Sequence, residues 1–176
     1  MKIHLICPVR NVTEEQQKEI DDYCAQLEKE GHIVHNPKYA VDQDDPTGMG
    51  ICEGHFKSME KANRVDVFWD VNSKGSHFDF GMAFALNKPM KLVKTYQPDN
   101  EGKSYVKVML EMQKYTEEMQ KRIDTLNSKL EKPREEKLAA IKEGNFEKAA
   151  SARDKEKDIL DMLDEAKKFF KIIDKI

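Results

Sequence analysis

Cysteine is scarce in this chain. The three present, Cys7, Cys24 and Cys52, are far apart, odd in number and lack CxxC spacing, which excludes a disulfide framework and gives no thiolate zinc set. Free cysteine is among the most buried residue types, so all three are expected as interior thiols. Long apolar runs are missing too. The opening MKIHLICPVR turns to proline and arginine after a few apolar residues, too soon for a secretory segment, and no stretch approaches membrane-spanning length. A cytoplasmic location is expected. Nor does one sign of charge prevail: 30 basic and 33 acidic residues are interspersed for a net charge of -3, leaving no basic field to attract nucleic acid or anionic lipid. His4, His32, His35 and His55 lack paired spacing on one helix face, so no metal set and no cofactor is expected.

What is present is enough for one ordinary core and an appendage: 176 residues, 39% hydrophobic and 36% charged. The first 95 residues alternate short apolar runs with amphipathic ones, as parallel strands joined by crossover helices do. IHLIC (3 to 7), HIVH (32 to 35), VDVFWD (65 to 70) and KLV (91 to 93) read as strands. Helices are expected over 14 to 30, stopped by Gly31, over about 50 to 63, and across GSHFDFGMAFALN. The fold class is therefore α/β, a doubly wound parallel sheet, whose ligands sit beyond the carboxyl ends of its strands. From Val106 the chain is rich in Lys, Glu and Met, and Met112, Tyr115, Met119, Ile123, Leu126 and Leu130 step by three or four, a seam for helix pairing. Lys132 and Pro133 are expected to break it and Gly144 and Asn145 to turn the chain, with Ile159, Leu163, Ala166, Phe170 and Ile173 resuming it. Residues 1 to 100 thus read as the α/β domain and 101 to 176 as a helical tail.

Asp79, a lone acid in the first turn of an apolar helix, has two readings. Ser76 three positions before it fits a capping box, in which serine and acid satisfy exposed backbone donors. Against this, Glu or Gln is usual at that position, the preceding NSKG offers small residues and free amides suited to an anion, and the loop follows a strand end.

The run VDVFWDVNSKGSHFDFGMAFALNKPMKLV resembles the signature of the nucleoside 2-deoxyribosyltransferases and the related deoxynucleoside 5'-monophosphate N-glycosidases, through Ser73, Gly75, Asp79, Gly81, Ala83, Ala85, Lys88 and Pro89. ICPVRN resembles that family's opening strand and phosphate-approaching loop, so Pro8, Arg10 and Asn11 are implied at a phosphate, Arg10 as its arginine. The resemblance covers about residues 1 to 95 and implies a Rossmann-like sheet, a nucleoside or nucleotide substrate and a homo-oligomer. The family's nucleophile is a glutamate, and Asp79 stands in its place, shorter by one carbon–carbon bond, roughly 1.5 Å. Ser73 matches a serine that meets the 5'-phosphate, with Gly75, Ser76 and His77 beside it. Departure of the base requires a proton; Asp45, with Asp44 beside it, and Asp70 at the end of the third strand are candidates, each also a favoured turn residue. Tyr39 and Trp69 are available for base stacking or for packing.

KLAAIKEGNFEKAASARDKEKDIL, residues 137 to 160, resembles the UVR motif of excision-repair nuclease subunits and some protease chaperones. That resemblance implies a helical hairpin binding another protein or its own copy, with Phe146 as a core anchor and Glu147 and Arg153 in ion pairs. The expectation is an enzyme acting on an N-glycosidic bond; the alternative is a nucleotide-sensing module reporting through its tail.

Overall fold

The structure is a computed structural model that describes residues 1–97 and 102–169. Strand β1 (Lys2–Ile6) is buried from its second residue onward. It pairs in parallel with β2 (Ile33–His35) on one side and β3 (Arg64–Trp69) on the other. A strand enclosed in this way needs apolar residues on both faces, which is why it reads as an unbroken run. β4 (Met90–Thr95) adds beside β3, with a register irregularity at Val67/Phe68, giving the order β2-β1-β3-β4. All four strands are parallel, and the order reverses between β1 and β3, where a doubly wound sheet opens its crevice.

Helix α1 (Glu14–Lys29) begins with a reciprocal cap: Gln16 N donates to Thr13 Oγ1 at 3.2 Å, and Thr13 N donates to Gln16 Oε1 at 3.0 Å. Its buried residues Ile20 and Cys24 pack with Leu5, Cys7 and Phe68 on one face of the sheet. The chain leaves the helix through Gly31 at φ +83°, a conformation glycine adopts without penalty. Asn36 and Pro37, expected simply to close β2, instead start a four-residue helix, α2 (Pro37–Ala40), capped by Asn36 Oδ1 accepting from Lys38 N at 3.1 Å. Proline suits a first helical position because its missing N–H has no partner there in any case.

Helices α3 (Met49–Lys61) and α4 (Lys74–Ala85) cover the other face, where Met59, Phe80 and Ala83 join Ile6, Val65 and Val67. Lys88, in the turn before β4, is buried, and its ammonium donates to Glu60 O at 2.7 Å and Ala62 O at 2.9 Å. It satisfies carbonyls that the end of α3 leaves open. On the α1 face, Asp66 is fully buried and accepts from Arg64 Nε (2.5 Å), Arg64 Nη2 (2.8 Å) and Tyr23 OH (2.8 Å).

The chain forms two compact units, Met1–Lys114 and the residues from Tyr115 onward. Helix α5 (Tyr105–Lys142) starts in the first, where Val106 and Met109 are buried in the sheet's core and Met112 packs against them. In the second, Ile123, Leu126 and Leu130 pack with Leu163 and Ala166 of α6 (Phe146–Phe169). The expected break at Pro133 does not occur: α5 runs through it. Pro133 is buried at helical spacing from buried Leu130 and Ala140, so packing of that face offsets a penalty of about 3 kcal/mol. Two expectations for the hairpin are corrected. Phe146 is 77% exposed rather than a core anchor, because it opens α6 at the tip, where α5 has already ended. Among the described residues Arg153 pairs only with its neighbour Asp154 on the same helix, and Glu147 has no ion pair; Glu156 ties the two helices together, accepting from Arg134 and Lys137. Phe170 and Ile173 lie outside the described residues.

Candidate active site

The start of α4 decides what Asp79 does. Ser73, not Ser76, is the N-cap: Ser73 Oγ accepts from Ser76 N at 3.3 Å and from Ser76 Oγ at 2.9 Å. The helix therefore begins a turn earlier than a cap at Ser76 requires, and Asp79 falls in its second turn, where the amides already have helical partners. The capping-box reading of Asp79 is overturned.

Asp79 turns instead toward α3. Its carboxyl oxygens lie 3.0 and 3.1 Å from Nδ1 of His55, and both residues are buried. In the arrangement that suits a carboxylate, which only accepts, Nδ1–H of His55 donates to both oxygens. His55 is brought there by the way α3 is seated. Asp45 accepts from Thr47 N, Gly50 N and Ile51 N at 3.0, 2.6 and 3.4 Å, closing the helix start. Gly54, next to His55, lies so near the preceding loop that a Cβ would stand 2.9 Å from Val41 Cγ1. A larger residue there would push the Val41 side chain aside.

Beneath His55 lie two more histidines. His4 and His35 are cross-strand partners of β1 and β2, their rings stacked at 4.7 Å, and His55 meets both edge-on at 5.6 and 5.8 Å. His4 Nδ1 bonds Ser58 Oγ at 3.0 Å, while the Nε2 atoms of His4, His35 and His55 are buried without a hydrogen-bond partner. Burial, reinforced by His35 and His55, pushes the His4 pKa down to about 2. Burial and then His55 lower that of His35, with Asp79 opposing. Both shifts favour the neutral ring. Cys7, at the end of β1, has its pKa pushed up by burial first and then by Cys24 and Asp79, so it is a protonated thiol rather than a nucleophile. Among the described residues no group of three His, Cys, Asp or Glu side chains is arranged to hold a metal ion.

The other expected site residues are dispersed around this pair. Asp45 braces the start of α3, whose N-cap residue is Gly48, and the hydrogen bond from the Thr47 backbone above all holds its pKa below the usual range. An acid held ionised is a poor proton donor. Asp70 accepts from Asn72 N at 2.8 Å and Gln97 Nε2 at 2.7 Å, ordering the strand end. Among the described residues neither shares a hydrogen-bond network with Asp79. Asp44 is exposed. Tyr39 is 66% exposed with its hydroxyl on Asp21 at 3.2 Å, whereas Trp69 is buried. After β1, Pro8 is buried and Arg10 and Asn11 are exposed, Asn11 in the left-handed region at φ 57°. Gly75 is exposed and Ser76 buried. His77 sits on the opposite flank of α4 from Asp79: its Nδ1 donates to Ser73 O at 2.8 Å and its ring lies 4.6 Å from that of Trp69. There it lines a cavity of about 620 Å³ between the ends of β3 and β4 and the start of α5, which Asp79 does not line.

His55 is the functional candidate that motif reading missed. Its signal was distributed: the parallel register brings His4 of buried β1 beside His35 of the half-buried edge strand β2, and His55 meets both rings edge-on from α3.

No protein-family model matches this chain, and no curated protein matches it. Among solved structures, it is similar to a 2-deoxyribosyltransferase from Bacillus psychrosaccharolyticus, at 21% identity over 57% of this chain and 77% of the other, with a TM-score of 0.48. It is also similar to a CMP N-glycosidase of Clostridium botulinum, at 20% identity over 61% of this chain and 78% of the other, with a TM-score of 0.43.

Proposed function

We propose that this chain cleaves or exchanges the N-glycosidic bond of a nucleoside or nucleoside 5'-monophosphate, with Asp79 as nucleophile. The observation that carries the reading is the turn of Asp79 away from its own helix amides onto His55, close to the switch point of the sheet. One carboxylate oxygen would bond to the anomeric carbon as the carbon–nitrogen bond breaks. The base leaves with that electron pair and takes a proton from water, and water or a second base then resolves the glycosyl ester. His55 serves as a positioning residue: its N–H spans both oxygens, so the oxygen that stays out of the ester keeps its donor. Arg10 and Ser73 are assigned to the 5'-phosphate of a nucleotide substrate, with Asn11, Gly75 and Ser76 in the same loops. Arg10 suits this role because it is exposed and makes no ion pair among the described residues. The same reading includes a homo-oligomer, and a protein partner engaged by residues 137–160.

The deciding experiment is base release from a panel of nucleosides and 5'-monophosphates, followed by chromatography, for the native chain and Asp79→Ala. Loss of free base in the variant is expected; release unchanged by the substitution overturns the reading. A second reading, a nucleotide sensor without turnover, is favoured by one observation: the Asp79 side chain is only 9% exposed. Calorimetry on the same panel separates the two, since saturable heat without product identifies a sensor.

A further inference from the structure

The cavity on the far flank of α4 belongs to neither reading, and its lining is selective. Trp69, His77 and Tyr105 form an aromatic corner: Trp69 and Tyr105 meet at 5.8 Å and 69°, His77 and Tyr105 at 5.4 Å and 82°. Tyr105 is 52% exposed, so much of its ring lies uncovered. The polar groups at the back are fixed before any ligand arrives. The Gln97 side chain accepts from Val71 N at 2.9 Å and donates to Asp70 at 2.7 Å, while Thr95 Oγ1 donates to Gln97 O at 3.0 Å.

What remains unused defines the ligand. His77 donates through Nδ1 to Ser73 O, which leaves Nε2 as an acceptor. Trp69 is 3% exposed, and among the described residues nothing accepts from its indole N–H. Among the described residues Lys103 has no ion-pair partner and no Asp or Glu lines the cavity. A donor and an acceptor beside aromatic faces match the polar edge of a heteroaromatic ring, and an unpaired ammonium at the rim matches an anionic substituent. About 620 Å³ falls within the range that encloses small organic ligands.

We propose that this cavity is a binding site, separate from Asp79, for a planar heteroaromatic compound carrying an anionic group, of the size of a nucleoside monophosphate. The ring stacks in the corner of Trp69, His77 and Tyr105, and the anion meets Lys103. The site stands whether or not Asp79 turns anything over.

Trp69 is the sole tryptophan of the chain, so intrinsic fluorescence reports this cavity directly. The full-length protein is titrated with AMP, CMP, the parent nucleosides and inorganic phosphate. Expected are a saturable fluorescence change with at least one monophosphate, at least tenfold weaker binding in Tyr105→Ala and in Val71→Glu, and unchanged binding in Asp79→Ala. Val71 is 52% exposed, so Val71→Glu puts a carboxylate at the cavity without disturbing the core. Lys103→Ala is expected to weaken the monophosphate tenfold and leave its nucleoside unaffected. The proposal is overturned by a flat titration with every organic probe, by inorganic phosphate alone reproducing the change, or by a change that vanishes in Asp79→Ala yet survives in Tyr105→Ala and Val71→Glu.

Discussion

Nδ1 of His55 stands 3.0 and 3.1 Å from the two oxygens of Asp79, joining the second turn of α4 to α3 in a buried pair. One donor spread over two acceptors fixes the plane of the carboxyl group while leaving each oxygen further lone pairs. Such an arrangement serves a group that must keep one orientation while one of its oxygens reacts.

Substituting His55 therefore tests position separately from chemistry. His55→Phe keeps a ring in the space but removes the donor, leaving a buried carboxyl group unsatisfied at a cost of about 1–3 kcal/mol in stability. In turnover assays kcat is expected to fall by roughly a hundredfold, the scale of an ångström-sized misplacement, with KM little changed. His55→Asn, which retains a donor, is expected to recover part of kcat. Equal kcat for the native chain and His55→Phe would show that the pair is architectural.

The histidine stack makes stability depend on pH. Burial holds the His4 pKa down to about 2 in the folded chain, against an ordinary value of about 6.5, and His35 is shifted in the same direction. The unfolded chain thus binds more protons than the folded one once pH falls below about 6.5, so acid favours unfolding. This contribution is complete above the unfolded value and is lost as pH drops toward the folded one. His4 faces His35, His55 and Ser58, none of which supplies a compensating negative charge. Between pH 6.5 and 5 the loss from His4 alone amounts to about 2 kcal/mol, at roughly 1.4 kcal/mol per pH unit. Urea midpoints across that interval are expected to fall steeply for the native chain and distinctly less for His4→Gln; parallel slopes would refute the assignment.

How far these features were legible in the sequence depends on how local their causes are. Strands β1 and β3 and the cap of α1 follow from contiguous residues: an apolar run, or Thr13 and Gln16 three apart. The α3–α4 pair does not. That Asp79 is not a cap depends on Ser73 starting the helix a turn earlier, a choice between two serines that spacing cannot make. That its partner is His55 depends on Gly54 admitting α3 beside Val41, and on a register that stacks His4 on His35. His77, two residues from Asp79, looked like its neighbour, yet two residues along a helix is about 200° of rotation. Pro133 failed as a break because tertiary packing of its face outweighs a local penalty.

Asp66 supports a stability prediction independent of any site. It is fully buried with Arg64 and Tyr23 on its oxygens, and Asp66→Ala would leave the Arg64 guanidinium without its partner beneath α1. Removing one partner of a buried ion pair costs about 3–5 kcal/mol, and the Arg64 side chain, 26% exposed, places this pair at the lower end of that range. The expected result is a thermal midpoint lowered by more than 10 °C, read by circular dichroism; a midpoint within a few degrees of native would mean that Arg64 finds water or another acceptor.

Ser73 has to serve two purposes if the nucleotide reading holds, and the two separate experimentally. Its hydroxyl already accepts from Ser76 N and Ser76 Oγ, so Ser73→Ala loses the cap of α4 and about 1 kcal/mol of stability whatever the ligand. Ser73→Gly loses only a few tenths of a kcal/mol, because glycine is tolerated at a cap, yet it removes the same hydroxyl from any phosphate. A comparison of a nucleoside with its 5'-monophosphate on Ser73→Gly isolates the phosphate contact from the fold. KM for the monophosphate is expected to rise about tenfold while that of the nucleoside holds, and Arg10→Ala, an exposed change with no ion pair to lose among the described residues, should give the same split. If both variants treat the two substrates alike, the loop after β1 and the turn before α4 do not meet a phosphate, and a substrate lacking one becomes the form to test.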